Sequence, residues 1–507
     1  MPIQLIRQTD QPLYLQVAEQ LRQQIENGEL PPHTRLPASR ILAKKLGVNR
    51  ITIVNAYAEL EAEGLVTSRV GSGTFVAASQ DTFSAASKST TPSSLWRGSL
   101  TPRRPWNANQ MVAEMMRLAR QPGVISFAAG APANEFLPVN EIRRALNEVL
   151  RRDGVAALQY EEAAGYLPLR ETIAQSLQQQ NIPTSGQDVL ITTGCQQALD
   201  ITLSALTRVN DDSLVVVEDP CYLGFLDILT TRRLTPVGIP VDAQGMQVEC
   251  LEQIILRHRP RLIYTTPSFH NPTGTTLSLT RRRMLLEIAA RYGIPILEDA
   301  SYEALCYQDE LLPSLKSLDT ADIVFHAGGY GKTLAPGLRI GYLVAPSAWQ
   351  ERVIAAKQTT DILTAPLNQH ALHTYLQSGH YAEHLDLVRR VYQERRDLMV
   401  AAIHRYLPAE ATWRCPQGGM YLWVEMPSSG PTATDLYLAA INYNVAFAIG
   451  CVFSASGSFT HAMRLNFVTS SPAEIEEGMR RLGKAWKELL ARNINTPSSQ
   501  RYAVPIL

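Results

Sequence analysis

Between residues 189 and 325 five short apolar runs, at 189–193, 214–218, 262–266, 294–298 and 323–325, are each followed by residues of a different chemical kind. After the first comes Gly194-Cys195-Gln196, a small turn opening a helix, whose free N–H groups suit a phosphate. After the second comes Tyr222, an aromatic ring. The third leads to Asn271 in a tight Asn-Pro-Thr-Gly turn, and the fourth to Asp299 and Tyr302. The fifth leads to Lys332 and Arg339. A lone lysine, aspartate or tyrosine at a strand end is usually a solvated loop residue. The whole set is an inventory that holds pyridoxal 5'-phosphate (PLP). That cofactor needs an acid at its pyridine nitrogen and a lysine at its aldehyde.

The elements that must position these groups follow from the same runs. Near-continuous apolar strands alternating with helical segments indicate a mostly parallel sheet covered on both faces. Ligands of such sheets bind beyond the carboxyl ends of the strands, so the segments after them form one site. Over roughly residues 110–490 the chain resembles the fold type I, class I/II aminotransferases. The resemblance implies catalytic roles for Lys332, which would carry PLP as a Schiff base, for Asp299 at the ring nitrogen, and for Tyr302. Asn271 and Tyr302 match the pair that bonds the phenolic oxygen of PLP, and Tyr222 the ring that stacks on it. Cys195 and Gln196, through their backbone, match the phosphate cup together with Arg339. Arg464, in Met463-Arg464-Leu465-Asn466-Phe467, matches the arginine that forks onto a substrate carboxylate. Tyr160 matches a tyrosine that reaches the phosphate of the neighbouring subunit, which implies a head-to-tail homodimer. Two departures stand out: Gly329 and Gly331 flank Tyr330 where a serine is usual, so phosphate binding leans on backbone N–H groups. Ile449 replaces a common proline near the substrate pocket.

The N-terminal region carries a second chemistry. Tyr14, Val17, Ala18, Leu21 and Ile25 recur at helical spacing until Gly28. A short helix over 38–46 stops at Gly47. Asn49 then caps a third helix over 50–63, ending at Gly64. Ile53, Ala56, Tyr57 and Leu60 form its apolar face and leave Arg50, Thr52 and Asn55 outward. Two β-type runs around Gly71-Ser72-Gly73 read as a hairpin wing. Residues 1–78 hold 8 Lys/Arg and 7 Asp/Glu, yet from Leu30 to Ala58 there are five cations (Arg35, Arg40, Lys44, Lys45, Arg50) and no acid. A helix armed in this way presents polar residues to base edges while nearby cations hold phosphates. Over residues 11–77 the sequence resembles the GntR-type winged helix. That resemblance implies DNA contacts at Arg40, Arg50, Thr52 and Gly73, with Arg35 on phosphate, and Lys44 and Lys45 of the acid-free stripe are expected to neutralise phosphate beside it. Val54 stands where some members carry another arginine, and no contact is assigned to it.

The chain has 507 residues with 45% hydrophobic and 19% charged content and zero formal net charge, an ordinary globular composition too long for a single core. Residues 80–105 are rich in Ser, Thr, Ala and Pro and read as a tether. The expected division is a winged helix-turn-helix at 1–78, a linker at 79–106, an aminotransferase-like domain at 107–492 with a smaller C-terminal subdomain, and an irregular tail at 493–507. Six scattered cysteines without a C-x-x-C pair argue against a disulfide framework or a metal site and fit a reducing cytoplasm. The uncharged stretch 436–463 is broken by polar residues and is expected as buried strand and loop rather than a membrane span.

The fusion resembles the MocR family of bacterial regulators. It implies an α/β two-domain, PLP-dependent transcription regulator that binds operator DNA. Its second domain would dimerise and sense an amino compound or a PLP vitamer. A sensor and an enzyme need the same groups, so a working aminotransferase carrying a DNA-binding domain stands as the alternative.

Overall fold

The computed structural model describes residues 13–27, 29–31, 34–62, 65–69, 73–76, 115, 117–119, 121–207, 213–308 and 310–494. The helix stops expected at Gly28 and Gly64, the wing tip at Gly71-Ser72, and the linker at 79–106 lie outside them, as does the tail beyond residue 494. The chain divides into two units, Met1–Leu100 and Thr101–Leu507.

In the first unit, α1 (Leu13–Glu26), α2 (Ser39–Leu46) and α3 (Arg50–Ala62) precede the antiparallel strands β1 (Val66–Arg69) and β2 (Gly73–Val76). Gly47 ends α2 because it adopts φ 62°, where a Cβ is costly, and its N–H bonds Ala43 O. Ile53, Ala56, Tyr57 and Leu60 of α3 are buried against Val17, Ala18 and Leu21 of α1 and Leu42 of α2. Full burial of one such side chain as Ile53 contributes about 1.5–3 kcal/mol. Leu36 N–H bonds Thr74 O and Val76 N–H bonds Thr34 O, so β2 also holds the segment that leads into α2.

The second unit is built on an eight-stranded sheet. Its strands are β4 (Val189–Thr192), β5 (Leu214–Asp219), β6 (Thr235–Asp242), β7 (Gly245–Met246), β8 (Leu262–Thr265), β9 (Ile296–Asp299), β10 (Val324–Gly329) and β11 (Gly341–Val344), in the order β4-β11-β10-β9-β8-β5-β6-β7. Pairings from β10 through β9, β8 and β5 to β6 are parallel, while β11 runs antiparallel to both β10 and β4. Six strands, β4, β5, β6, β8, β9 and β10, therefore point the same way, and all but β6 lead into the segments singled out in the sequence. Alternation along each strand supplies both faces. Val215, Val217 and Tyr264 pack with the helices Cys195–Leu206 and Leu223–Arg232. Val216 and Ile263 pack with Leu251–His258 and Leu279–Tyr292 on the other face.

The C-terminal part adds an antiparallel sheet, in the order β12-β13-β16-β15, from β12 (Thr412–Trp413), β13 (Tyr421–Glu425), β15 (Ala448–Ile449) and β16 (Ala462–Asn466). A parallel pair joins β3 (Ile125–Ser126) to β14 (Val445–Ala446). The stretch 436–463 corrects the expectation of strand and loop alone, because it begins inside the helix Ala433–Ile441. That helix is started by a capping box in which Thr432 and Asp435 bond each other's backbone. It buries Leu436, Tyr437 and Ala440, and the absence of charge beyond Asp435 hid the helical period. The last helix, Pro472–Ile494, continues into the first residues of the expected tail. Among the described residues no helix is long and apolar enough to cross a membrane.

Candidate functional site

The five strand ends bring the expected groups together. At the end of β4, Gly194 takes φ 86° and the helix starts at Cys195, so its first N–H groups have no partner within the helix. Gly341 of β11 packs against that turn: a Cβ there would lie 2.6 Å from Gly194 C and 2.7 Å from Cys195 N. A Cβ on Gly329 would stand 3.6 Å from the same nitrogen. Arg339 Nη2 donates to Thr193 O at 2.9 Å. Three glycines and an arginine thus leave a cradle over the helix start that fits a phosphate. Behind it, the Asp361 carboxylate accepts from Thr193 Oγ1 at 2.9 Å, Gln197 Nε2 at 2.7 Å and the buried Lys357 Nζ at 2.6 Å, fixing the turn from below.

Beside the cradle, Tyr222 donates its hydroxyl to Gln196 Oε1 at 3.0 Å, which sets the ring's orientation. Burial pushes that phenol up, so it remains a donor. Asp299 ends β9, 4% exposed, and accepts from Tyr264 Oη at 3.1 Å and from Ser301 N at 3.0 Å. The Cys195 thiol lies 3.5 Å from Asp299 Oδ1, and burial together with that carboxylate pushes the thiol well up. Asn271 Nδ2 donates to Tyr302 Oη at 3.1 Å, and Arg464 Nη1 donates to Asn271 Oδ1 at 2.8 Å. Arg464 Nη2 donates to Ala128 O at 2.8 Å, while its Nε has no partner in a buried position. Lys332 Nζ donates to Gly130 O. A phosphate cradle, an oriented ring, a buried carboxylate, a bonded Asn–Tyr pair and an amine share one sheet edge. These residues fit PLP, and Arg464 is left with an unspent donor for a carboxylate.

Tyr160 stands apart. It is 78% exposed, and its backbone N–H bonds the Gln159 side chain. Ile449 is buried in β15 beside β16, which carries Arg464. Tyr264 and Tyr421 belong to the site although the sequence did not single them out. Each lies in a strand, where an aromatic residue reads as core. The signal that could have found Tyr421 is Gly418-Gly419 just before it, with Gly419 at φ 75°.

Beneath the same edge lies a second buried ionic group. Glu298 accepts from Leu315 N at 2.6 Å and Lys316 N at 3.0 Å, with His326 Nδ1 2.8 Å away. Burial disfavours both charges, but their pairing outweighs it, holding Glu298 low and His326 high. Glu303 is buried with one carboxylate oxygen unpartnered, and burial, then the Glu298 charge, push it up to about 7.

In the first unit, Arg35, Arg40, Lys44 and Arg50 are exposed and Thr52 is half-buried, while Gly73 opens β2. Arg50 Nε reaches Ser39 Oγ at 3.4 Å, which places the first turn of α3 beside the start of α2. Tyr57 Oη donates to Pro37 O at 2.7 Å and fastens the buried side of α3.

A model of the class I and II aminotransferase family matches residues 122–482, and one of the gntR family of bacterial regulatory proteins matches residues 13–76. The uncharacterized HTH-type transcriptional regulator YdfD of Bacillus subtilis is 32% identical, over 95% of this chain and 98% of its own. The probable rhizopine catabolism regulatory protein MocR of Rhizobium meliloti is 31% identical, over 82% of each chain. The crystal structure of LysN, an α-aminoadipate aminotransferase from Thermus thermophilus complexed with N-(5'-phosphopyridoxyl)-L-leucine, superposes with a TM-score of 0.72 and 36% identity, covering 78% of this chain and 99% of that one.

Proposed function

The chain belongs to the class I and II aminotransferases and, over nearly its whole length, to the gntR-headed regulators of the MocR type. On that premise we infer that it regulates transcription by letting a PLP-holding domain govern a DNA-binding one. The observation that carries the reading is the presence, on one chain, of exposed cations on α2 and at the start of α3 and of a cradle that fits PLP. When bound, PLP supplies an electron-poor ring and an aldehyde that takes amines. The chain's own residues do the rest. Cys195, Gln196 and Arg339 would hold the phosphate, Tyr222 would stack on the ring, and Asn271 with Tyr302 would bond its phenolic oxygen. Asp299, held by Tyr264 and Ser301, would keep a proton at the ring nitrogen, and Lys332 would take the aldehyde. Arg464 would fork onto the carboxylate of an amino acid effector. Arg40, Arg50, Thr52 and Gly73 would contact operator DNA, with Arg35 and Lys44 on phosphate.

We further infer a head-to-tail homodimer acting in the cytoplasm. Val139, Val155, Leu158 and Tyr160 are between 66% and 79% exposed, and large apolar side chains left open in this way suit a subunit interface. Tyr160 is then free to complete the partner's site. A second reading, slow transamination by the same groups, is favoured by the intact Lys332, Asp299, Asn271 and Arg464 set.

The test takes the full-length PLP-bound protein and DNA that it selects from a random pool. Amino compounds are screened by the change they cause in the cofactor's visible band, and each hit is added to the DNA-binding assay. At least one amino acid is expected to change DNA affinity severalfold. Should every spectral hit leave DNA affinity unchanged while keto acid accumulates, the enzyme reading replaces the regulator.

A further inference from the structure

Tyr421 opens β13 and is 1% exposed, at the meeting point of the residues assigned above to the carboxylate and to the aldehyde. The Arg464 guanidinium carbon lies 4.1 Å from the centre of its ring. Its hydroxyl is 3.4 Å from that of Tyr302. On the other side stands Gly130, whose carbonyl accepts from Lys332. A Cβ on Gly130 would lie 2.8 Å from the Tyr421 oxygen and 3.8 Å from Lys332 Nζ, so phenol and amine border the same small space. A line of bonded groups therefore runs from Arg464 through Asn271 and Tyr302 to Tyr421, and Tyr421 adjoins Lys332.

The hydroxyl needs an explanation that packing does not supply. A phenylalanine would fill the same volume and keep the ring under Arg464. The charged and titratable groups facing the phenol are Lys332, Arg464, Tyr302, Tyr222 and Asp299. Burial raises Tyr302 and would raise Tyr421 too, but the Lys332 and Arg464 cations outweigh it and bring Tyr421 below the ordinary tyrosine value. Of the two phenols, Tyr302 keeps its proton and Tyr421 is the one poised to act as an acceptor.

We propose that Tyr421 is a positioning residue that couples the filling of Arg464 by a carboxylate to the hydrogen bonding of Lys332. The site then responds to molecules bearing a carboxylate beside an amine, and only weakly to amines alone. This rests on the reading of Arg464 as the carboxylate anchor. Once a carboxylate neutralises Arg464, one of the two cations acting on the phenol is cancelled. Tyr421 then holds its proton to higher pH, and offers it as a donor into the space it shares with Lys332.

The experiment uses the full-length protein with and without PLP, and propionate, a carboxylate without an amine, whose binding is followed by calorimetry. In the protein freed of PLP, where Lys332 is an ammonium, a pH titration of the tyrosinate absorption, wild type minus Tyr421→Phe, is expected to show one tyrosine ionising below the ordinary range. Saturating propionate should move that ionisation up by about one unit. The pH midpoint of the cofactor's visible band should also respond to propionate roughly half as much, or less, in Tyr421→Phe as in wild type. Equal responses in both proteins overturn the role of Tyr421 and leave Arg464 in place. A propionate response that persists in Arg464→Gln overturns the anchor reading itself, and the coupling with it.

Discussion

Glu303 is a carboxyl placed where a charge is costly. Its value rises from 4.5 to about 7 because it is buried beside Glu298, and one of its oxygens has no partner. A raised folded value means that the folded state binds the proton more tightly. Its stabilising contribution is therefore full below pH 4.5 and is lost as pH rises towards 7. Glu303→Gln, which cannot ionise, is expected to be more stable than wild type at pH 8 by roughly 1–3 kcal/mol and to flatten the dependence between pH 4.5 and 7. Urea unfolding at pH 5 and pH 8 measures this, and a parallel loss at both pH values would show that the carboxyl is ionised and satisfied. Residues such as Glu303 were invisible in the sequence, because a charge next to Tyr302 gives no sign of what it is buried against. Lys332, Asp299 and Asn271 were legible for the opposite reason, since each follows an apolar run and its place on the sheet edge follows from the strand. Tyr264 and Tyr421 sit inside strands and show their roles only through cross-strand neighbours.

At the scale of elements, the proposed DNA contacts separate into reading ones on α3 and a holding one on α2. Arg50 and Thr52 lie on its first turn, away from the buried Ile53, Ala56, Tyr57 and Leu60. Loss of one bidentate base contact costs roughly 1–3 kcal/mol and relaxes sequence choice, whereas loss of one phosphate contact weakens all binding and lowers the salt slope by about one. Arg50→Ala is thus expected to narrow the gap between selected and scrambled DNA. Lys44→Ala, on α2, is expected to keep the gap and flatten the salt dependence. Binding to both DNAs over a salt series decides it, and an unchanged preference in Arg50→Ala would remove α3 from the reading role. The first two helices of this unit were legible from their 3.6-residue period and the glycine stop at Gly47, and the third, apolar nearly all round, from the Asn49 start before it. Strands β4, β5, β8, β9 and β10 were legible as apolar runs. The antiparallel β11 was not, because Gly341–Val344 opens on a glycine and nothing in four residues encodes direction. The helix Ala433–Ile441 was misread because it carries no cation to mark its outer face.

For the whole molecule the question is whether a site is the property of one chain. Tyr160→Phe and Lys332→Ala would each weaken every site in its own homodimer, by removing a phosphate contact or the cofactor's attachment. After subunit exchange, the mixed dimers should contain one site with both residues intact, so roughly one quarter of all sites regain tight PLP. Retention of the visible band after gel filtration measures it. Full retention by a strictly monomeric species at micromolar concentration would end the shared-site reading. One feature of that site bears on how it can change over generations. The phosphate cradle is shaped at Gly194, Gly329 and Gly341 by side chains that are missing, and any substitution there adds atoms against the Arg339 guanidinium or against the helix start. Mutational fragility is therefore concentrated at positions without a functional group. A lineage abandoning its cofactor could do so there first, while Lys332 and Asp299 persisted unchanged, and a surviving lysine would be poor evidence that a descendant still senses anything.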